Sequence, residues 1–442
     1  YGQQHKRSPL GGRGGGYRMK IVIAGAGAVG THLSKLLSTE HHDCVLIDDD
    51  EERLENVDSN LDIMALNASP TSIKALKDSG VANADLFVGV TRYESRNITA
   101  CALAHALGAK KTVARIDNYE YLQPQTQKIF KDMGIDSLVY PEMLAAKDII
   151  SGLQMSWVRQ RVDVHDGALV LLGIKLREGC EILNQPLKDL CGADDPYHVV
   201  AIKRDGDTII PGGFDVLKLH DLAYFMTTKD YIPYIRKIVG KEGYADVKNV
   251  IVMGGGKTAV RTALTMPDDM NMKIIELSPH RCERLNQILA DTDTMVIHGD
   301  GRNLGLLDEE GIRHTQAFVA LTGNAETNIL ACLTAKKLGV RKTVAMIENL
   351  DYVSMAEGLD IGTIINKKTV AASHLFQMMM RADVRNLRSL MMVEADVAEF
   401  VASEGSRVTK KAVKDLALPF GLTIGGLVRD GKGLLVNGST QI

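Results

Sequence analysis

The chain has 442 residues, a formal net charge of −3, 45% hydrophobic residues and 24% charged residues. At roughly 150 residues per domain that length suggests about three globular domains, and near-neutral charge argues against a dedicated nucleic-acid binder, which would carry a basic stripe. No run approaches the ~18 apolar residues of a membrane-spanning helix, and none of the six cysteines forms a C-x-x-C pair, so neither a zinc nor a redox motif is present.

Residues 1–18 are rich in glycine, Arg and Lys without a hydrophobic period, and read as an appended tag or disordered arm, a native basic arm being the alternative. From Met19 the pattern is regular. Strands are predicted near 20–24, 44–48, 62–66, 85–90, 112–116 and 137–140, with helices between them, for example over 28–38, 70–79 and 94–107. Buried-strand runs alternating with helical ones specify a parallel sheet covered on both faces, a doubly wound α/β domain over 19–140. Pro141 opens an apolar helix running from Met143 to about Val158. The rhythm then changes to strands at Val162–Val164, Leu169–Lys175, Val199–Arg204 and Leu222–Met226, with a turn at Asp205-Gly206, so 141–229 reads as a small α+β domain.

The chain then repeats itself. Ile21-Val22-Ile23-Ala24 before Gly25 is answered by Val250-Ile251-Val252-Met253 before Gly254. Asp85-Leu86-Phe87-Val88 answers Gln316-Ala317-Phe318-Val319, Asn97-Ile98 answers Asn328-Ile329, and Lys111-Thr112-Val113-Ala114 answers Lys342-Thr343-Val344-Ala345. A second Rossmann-like domain is therefore placed at 246–365, followed by a helix and a second small domain at 366–442. That last domain ends soon after Asp430-Gly431 and reads as lacking a closing strand.

Glycines make up 41 of the 442 residues, above the usual share of about 7%, and raise the question of what the backbone approaches. In Gly25-Ala26-Gly27-Ala28-Val29-Gly30, directly after a strand and opening a helix, Gly25 suits a tight turn, Gly27 a close approach to a diphosphate, and Gly30 close helix–strand packing. The following helix would turn free N–H groups toward an anion. Asp48, 18 residues after Gly30, stands where an acid binds ribose hydroxyls and would repel a 2′-phosphate, which favours NAD(H) or an adenine nucleotide over NADP. The second copy reads Gly254-Gly255-Gly256-Lys257-Thr258-Ala259 with Glu276 at the acid position; a purely structural second turn is the alternative. Ligands of open parallel sheets bind beyond the carboxyl ends of the strands, which adds Ser69, Thr91, Arg92, Arg115, Asp300 and Thr322. Arg115 could neutralise a phosphate or form a surface salt bridge; Met346, its counterpart, cannot. No catalytic constellation is evident: there is no H-x-x-x-H pair and no G-x-S-x-G elbow, and His165, His198 and His220 follow no pattern that places an acid/base. The methionines 378–380 and 391–392 suit either core packing or an adaptable subunit contact.

Taken together, the two glycine turns, the acids ending the second strands, the Ala84-Asp85-Leu86-Phe87-Val88 fourth strand, the Lys111-Thr112-Val113-Ala114-Arg115-Ile116 fifth strand and Ile202-Lys203-Arg204-Asp205-Gly206 resemble RCK/KTN domains over residues 19–442. The resemblance implies a non-enzymatic, cytoplasmic regulatory chain, peripheral on the inner face of the membrane. It implies a ring of RCK units (a homotetramer of this chain) that binds NAD(H) or ATP/ADP and gates a potassium-translocating membrane subunit of the Trk/Ktr type. The nucleotide-contacting positions it implies are Gly25 to Val29, Asp48, Ser69, Thr91, Arg92, Arg115, Gly254 to Thr258, Glu276, Asp300 and Thr322. An NAD-dependent oxidoreductase is the competing class, and a sensor without a channel partner a third.

Overall fold

The run Ile21-Val22-Ile23-Ala24 is wholly shielded from solvent, as a strand covered on both faces requires. In the computed structural model, which describes residues 18–38, 42–55, 57, 63–190, 196–379, 384–389, 395–403, 405–419 and 421–442, that run forms a central strand. The residues 1–17 of the expected tag or arm, together with Met380, Met391 and Met392, lie outside the described residues. The chain divides into two units, Tyr1–Leu144 with Lys367–Met380, and Ala145–Asn366 with Arg381–Ile442.

The first unit alternates β1 (Lys20–Ala24), α1 (Ala28–Ser38), β2 (Asp43–Asp48), α2 (Glu51–Glu55), β3 (Ile63–Asn67), α3 (Ile73–Asp78), β4 (Leu86–Gly89), α4 (Glu94–Ala106), β5 (Thr112–Arg115), α5 (Pro124–Asp132) and β6 (Ser137–Val139). The strands are parallel in the order β3-β2-β1-β4-β5-β6, with Ile21 opposite both Cys44 and Leu86. This is the doubly wound order, which reverses between β1 and β4. One face of the sheet buries Val22, Val45 and Phe87 against Leu76, Ala100 and Ala104. The later helix Lys367–Met379 belongs to this unit: it packs on α1, with Ala371, Ala372 and Leu375 buried, and Lys367 reaches Glu142 at 3.4 Å.

Helix α6 (Pro141–Leu153) ends five residues short of the expected Val158. Ser156 instead donates its hydroxyl to Ala245 O (2.7 Å), while Trp157 and Val158 join the core of the next module. In the second unit β7 (Gln160–Val164), β8 (Leu169–Lys175), α7 (Leu187–Leu190), β9 (Tyr197–Arg204), β10 (Asp207–Ile209) and β11 (Leu222–Thr227) lead to α8 (Ile232–Ile238). The strands form an antiparallel sheet in the order β10-β9-β11-β8-β7. Asp205 and Gly206 both have positive φ (51° and 93°), the conformation a two-residue hairpin turn needs.

The second parallel sheet follows as β12 (Asn249–Met253), α9 (Lys257–Leu264), β13 (Asn271–Glu276), α10 (Pro279–Ile288), β14 (Met295–His298), α11 (Leu304–Glu309), β15 (Ala317–Ala320), α12 (Ala325–Lys337), β16 (Lys342–Met346), α13 (Asp351–Gly358) and β17 (Thr363–Ile365). Its order, β14-β13-β12-β15-β16-β17, repeats that of the first unit. Two ribbons close the chain, β18 (Val384–Ser389) with β19 (Asp396–Phe400) and β20 (Gly426–Arg429) with β21 (Lys432–Leu435). Val397, Val428 and Leu435 pack on the core formed by Leu169, Leu171 and Tyr224, so the antiparallel sheet of the same unit supplies the apolar surface that these short ribbons lack on their own. Among the described residues no helix is long and apolar enough to cross a membrane.

Candidate functional site

Each glycine turn is a strand end bent into a helix start. Gly25 has φ 119°, donates its N–H to Ile47 O (2.8 Å), and sits so close to the end of β4 that a Cβ there would lie 2.8 Å from Thr91 N. A Cβ on Gly30 would fall 1.9 Å from Gly25 O, so α1 starts where only glycine lets helix and turn touch. Gly27 differs: no heavy atom lies within 4 Å of its would-be Cβ. The backbone at Gly27, half-buried, and at Ala28, exposed, faces open space, with the first N–H groups of α1 beside it. That is a cradle for an anionic group.

Asp48 is buried and braces this turn. One carboxylate oxygen accepts the Ala26 N–H (2.6 Å) and the other accepts the Asp50 N–H (2.9 Å). The second copy repeats the device. Gly254 has φ 101° and donates to Ile275 O (2.9 Å), while buried Glu276 accepts Gly255 N–H (2.8 Å) on one oxygen and Ser278 N–H (2.9 Å) on the other. Gly256 stands open as Gly27 does, and no side chain caps α9. Lys257 is exposed at the first position of that helix, and Thr258 and Ala259 are buried behind it. A carboxylate has about four lone-pair directions, so each acid can brace its turn and still accept ribose hydroxyls.

Next to each turn the ends of the fourth and fifth strands are tied by an asparagine that stands out in the sequence only as part of the repeat. Asn97, fully buried on α4, accepts the Thr91 N–H and hydroxyl on Oδ1 (2.8 and 2.7 Å). Its Nδ2 donates to Thr91 O (3.0 Å) and Arg115 O (2.9 Å). Asn328 makes the same four bonds with Thr322 and Met346 O, at 2.6–3.1 Å. The available signal is a polar residue on a helix face that is otherwise apolar, beside Ala100, Cys101 and Ala104 in the first copy and Ala331, Cys332 and Ala335 in the second. Removing a buried partner of three backbone groups and a hydroxyl leaves unmet bonds costing ~1–3 kcal/mol each, partly recovered by water. Asn97→Ala is expected to lower stability by roughly 2–3 kcal/mol, seen as a drop in the denaturation midpoint of the first unit.

Arg115 donates from Nη1 to Thr91 O (3.1 Å) and from Nη2 to Asp117 (2.8 Å), so it is both part of the strand-end network and one half of an ion pair. Ser69 follows β3, its hydroxyl 3.0 Å from that of Thr71. Arg92 is exposed and stacks over Tyr93 at 4.6 Å. Asp300, after β14, is held by the Arg302 guanidinium and titrates below the usual carboxylate range. Gly25 to Gly30, Asp48, Ser69, Thr91 and Arg115 thus gather along the carboxyl edge of the first sheet, and Gly254 to Thr258, Glu276, Asp300 and Thr322 along that of the second.

The candidate acid/base histidines converge on nothing comparable. His165 Nδ1 lies 2.7 Å from Glu399, burial pushes the His198 imidazole below its ordinary range, and His220 occupies a left-handed turn (φ 69°). Among the described residues no three His, Cys, Asp or Glu side chains are grouped to hold a metal.

The TrkA-N domain model matches twice, over residues 21–141 and 250–367, the two glycine-turn sheets. The Trk system potassium uptake protein TrkA of Azorhizobium caulinodans is 29% identical over 432 residues, covering 96% of this chain and 94% of that protein. Its namesake in Halomonas elongata is 30% identical, covering 95% and 92%, and a homolog in Archaeoglobus fulgidus is 30% identical, covering 96% and 95%. These relatives are named for potassium uptake rather than for a catalysed reaction, in agreement with the non-enzymatic reading. Among solved structures, the GsuK RCK domain superposes with TM-score 0.57 at 16% identity over 85% of this chain and 79% of that one, which shows the RCK fold. With the family model on both sheets and relatives matched end to end, the chain belongs to the TrkA family of Trk system potassium uptake proteins.

Proposed function

We propose that this chain is the nucleotide-binding regulatory subunit of a potassium-uptake system. NAD(H) or ATP/ADP at the glycine turns changes the shape of a ring of RCK units, a homotetramer of this chain, on the inner face of the membrane. The ring in turn gates a potassium-translocating subunit of the Trk/Ktr type. The observation that carries the reading is the duplicated cradle: an open glycine backbone at a helix start, braced from beneath by a buried acid, in both sheets. A channel of the same fold, GsuK, has been solved bound to NAD (TM-score 0.53, 16% identity, 83% of this chain and 64% of that one). Site residues would divide the work: Gly27 and Gly256 admit the diphosphate, Asp48 and Glu276 hold the ribose, and Arg115 supplies positive charge that Met346 does not. The two sites therefore differ in affinity.

A nucleotide moves such a ring only by binding one shape better than the other, and a coupling of about 1–3 kcal/mol is typical. Calorimetric titration of ATP, ADP, NAD⁺ and NADH into wild type, Asp48→Ala and Glu276→Ala tests the assignment. Each substitution is expected to weaken binding at its own site by at least tenfold, and if neither weakens any nucleotide both sites are wrongly assigned. Nucleotide-dependent potassium flux through the reconstituted membrane subunit tests the gating, and flux indifferent to every nucleotide would refute it.

A further inference from the structure

The opposite edge of the second parallel sheet carries a concentration of charge that the nucleotide cradles do not use. A cavity of about 410 Å³ opens in the second unit where the antiparallel sheet meets the amino-terminal ends of β16 and β17. Arg159, Lys175, Arg177 and Lys241 line it from the antiparallel module, and Lys336 and Arg341 from the parallel one. These six cations face one carboxylate, Asp360.

Asp360 is fully engaged: it bonds Arg159 (2.5 Å), Lys336 (3.1 Å) and Arg177. Among the described residues the remaining cations form no salt bridge. Lys241 donates to the Tyr244 hydroxyl (3.2 Å), Arg341 stacks on the Tyr244 ring (5.1 Å), and the Lys175 amine makes no hydrogen bond or salt bridge among the described residues. Burial first, and then repulsion from Arg159 and Arg177, hold the Lys175, Lys241 and Lys336 amines below their ordinary range, although Asp360 or Tyr244 pulls the other way. Asp360, whose own burial acts in the opposite sense, is held down to about 2 by the same cations.

We propose that this cavity is a second ligand site, separate from the glycine turns, and that it binds a small polyanion carrying two or more phosphate groups. Its volume lies within the range of small-molecule sites, roughly 300–1,000 Å³. Three arginines give planar forks that match phosphate oxygens, and three lysines add point charges around them. One anionic group would leave most of the cations unanswered; a condensed phosphate meets several at once. Because the lining residues come from both modules, an occupant would draw the antiparallel sheet and the second parallel sheet together.

Inorganic pyrophosphate and tripolyphosphate, titrated calorimetrically against orthophosphate at constant ionic strength, are the probes. Wild type is expected to bind the condensed phosphates at least tenfold more tightly than orthophosphate. Lys175→Glu, which removes no internal bond, is expected to weaken them at least tenfold while NADH binding and the melting temperature stay as they were. Should Lys175→Glu lower the melting temperature, Lys241→Met serves as the second variant, with the same loss expected. The proposal is overturned if condensed phosphates bind no better than orthophosphate, or if both variants bind them as wild type does. It is equally overturned if Asp48→Ala or Glu276→Ala abolishes pyrophosphate binding, since the anion would then sit on the glycine turns.

Discussion

Gly30→Ala is expected to disrupt the first unit, whereas Gly27→Ala, three residues earlier, is expected to leave the fold intact and empty the first nucleotide site. The new methyl of Gly30→Ala would stand 1.9 Å from Gly25 O and 3.1 Å from its carbonyl carbon. Backbone, not a flexible side chain, is what it strikes, and Gly25 is itself pinned to Ile47 O and against Thr91. Overpacking a well-fitted contact costs ~1–3 kcal/mol and more where the obstacle cannot move, so a loss of about 3 kcal/mol or more is expected. The methyl of Gly27→Ala meets nothing within 4 Å and its backbone is outside the left-handed region, so stability is expected within about 1 kcal/mol of wild type. It occupies, however, the space through which a diphosphate would reach the turn. Thermal denaturation with nucleotide titration separates the two effects. Full nucleotide affinity in a folded Gly27→Ala protein would show that the ligand does not lie on this turn.

Much of this contrast was legible in the sequence, because a phosphate-binding turn is a local object. Strand, glycines, helix start and acid fall within about 30 residues, and each residue type answers to a geometric need that spacing reveals. The central parallel strands were legible for a related reason: a strand buried on both faces is a continuous apolar run, as in Val250-Ile251-Val252-Met253. What escaped was either short or distributed. Strand β10 is three residues, Asp207-Thr208-Ile209, at a sheet edge, and its only signal is the Asp205-Gly206 turn. Asn97 read as one more helical residue until its four bonds tied Thr91 to Arg115. The cation cavity draws on positions from Arg159 to Asp360, so no motif spacing joins its members. Even the duplicated sequence conceals a difference: Lys111 is exposed on the first sheet, but its counterpart Lys342 is 1% exposed.

That buried lysine leads to a stability change whose sign depends on pH. Lys342 Nζ donates to Val158 O (2.6 Å) and lies 3.1 Å from the Thr363 hydroxyl, with no carboxylate bonded to it among the described residues. Burial, and secondarily repulsion from Arg159, lowers its titration to about 7. An unfolded lysine titrates near 10.4, so between about pH 7 and pH 10.4 the unfolded chain holds a proton that the native one has released. Stability from this group is therefore full above pH ~10.4, falls by up to about 1.4 kcal/mol per pH unit as pH drops, and levels off below pH ~7, a total on the order of 5 kcal/mol. Lys342→Met removes the titration and leaves Val158 O without this donor, at a cost of ~1–3 kcal/mol at every pH. The substitution is accordingly expected to destabilise the second unit near pH 10 and to stabilise it at pH 6.5, the difference from wild type crossing zero between them. Denaturation midpoints of the two proteins across pH 6.5–10 measure this directly. A wild-type-minus-variant difference that stays flat over the range would mean that Lys342 keeps its charge in the folded protein.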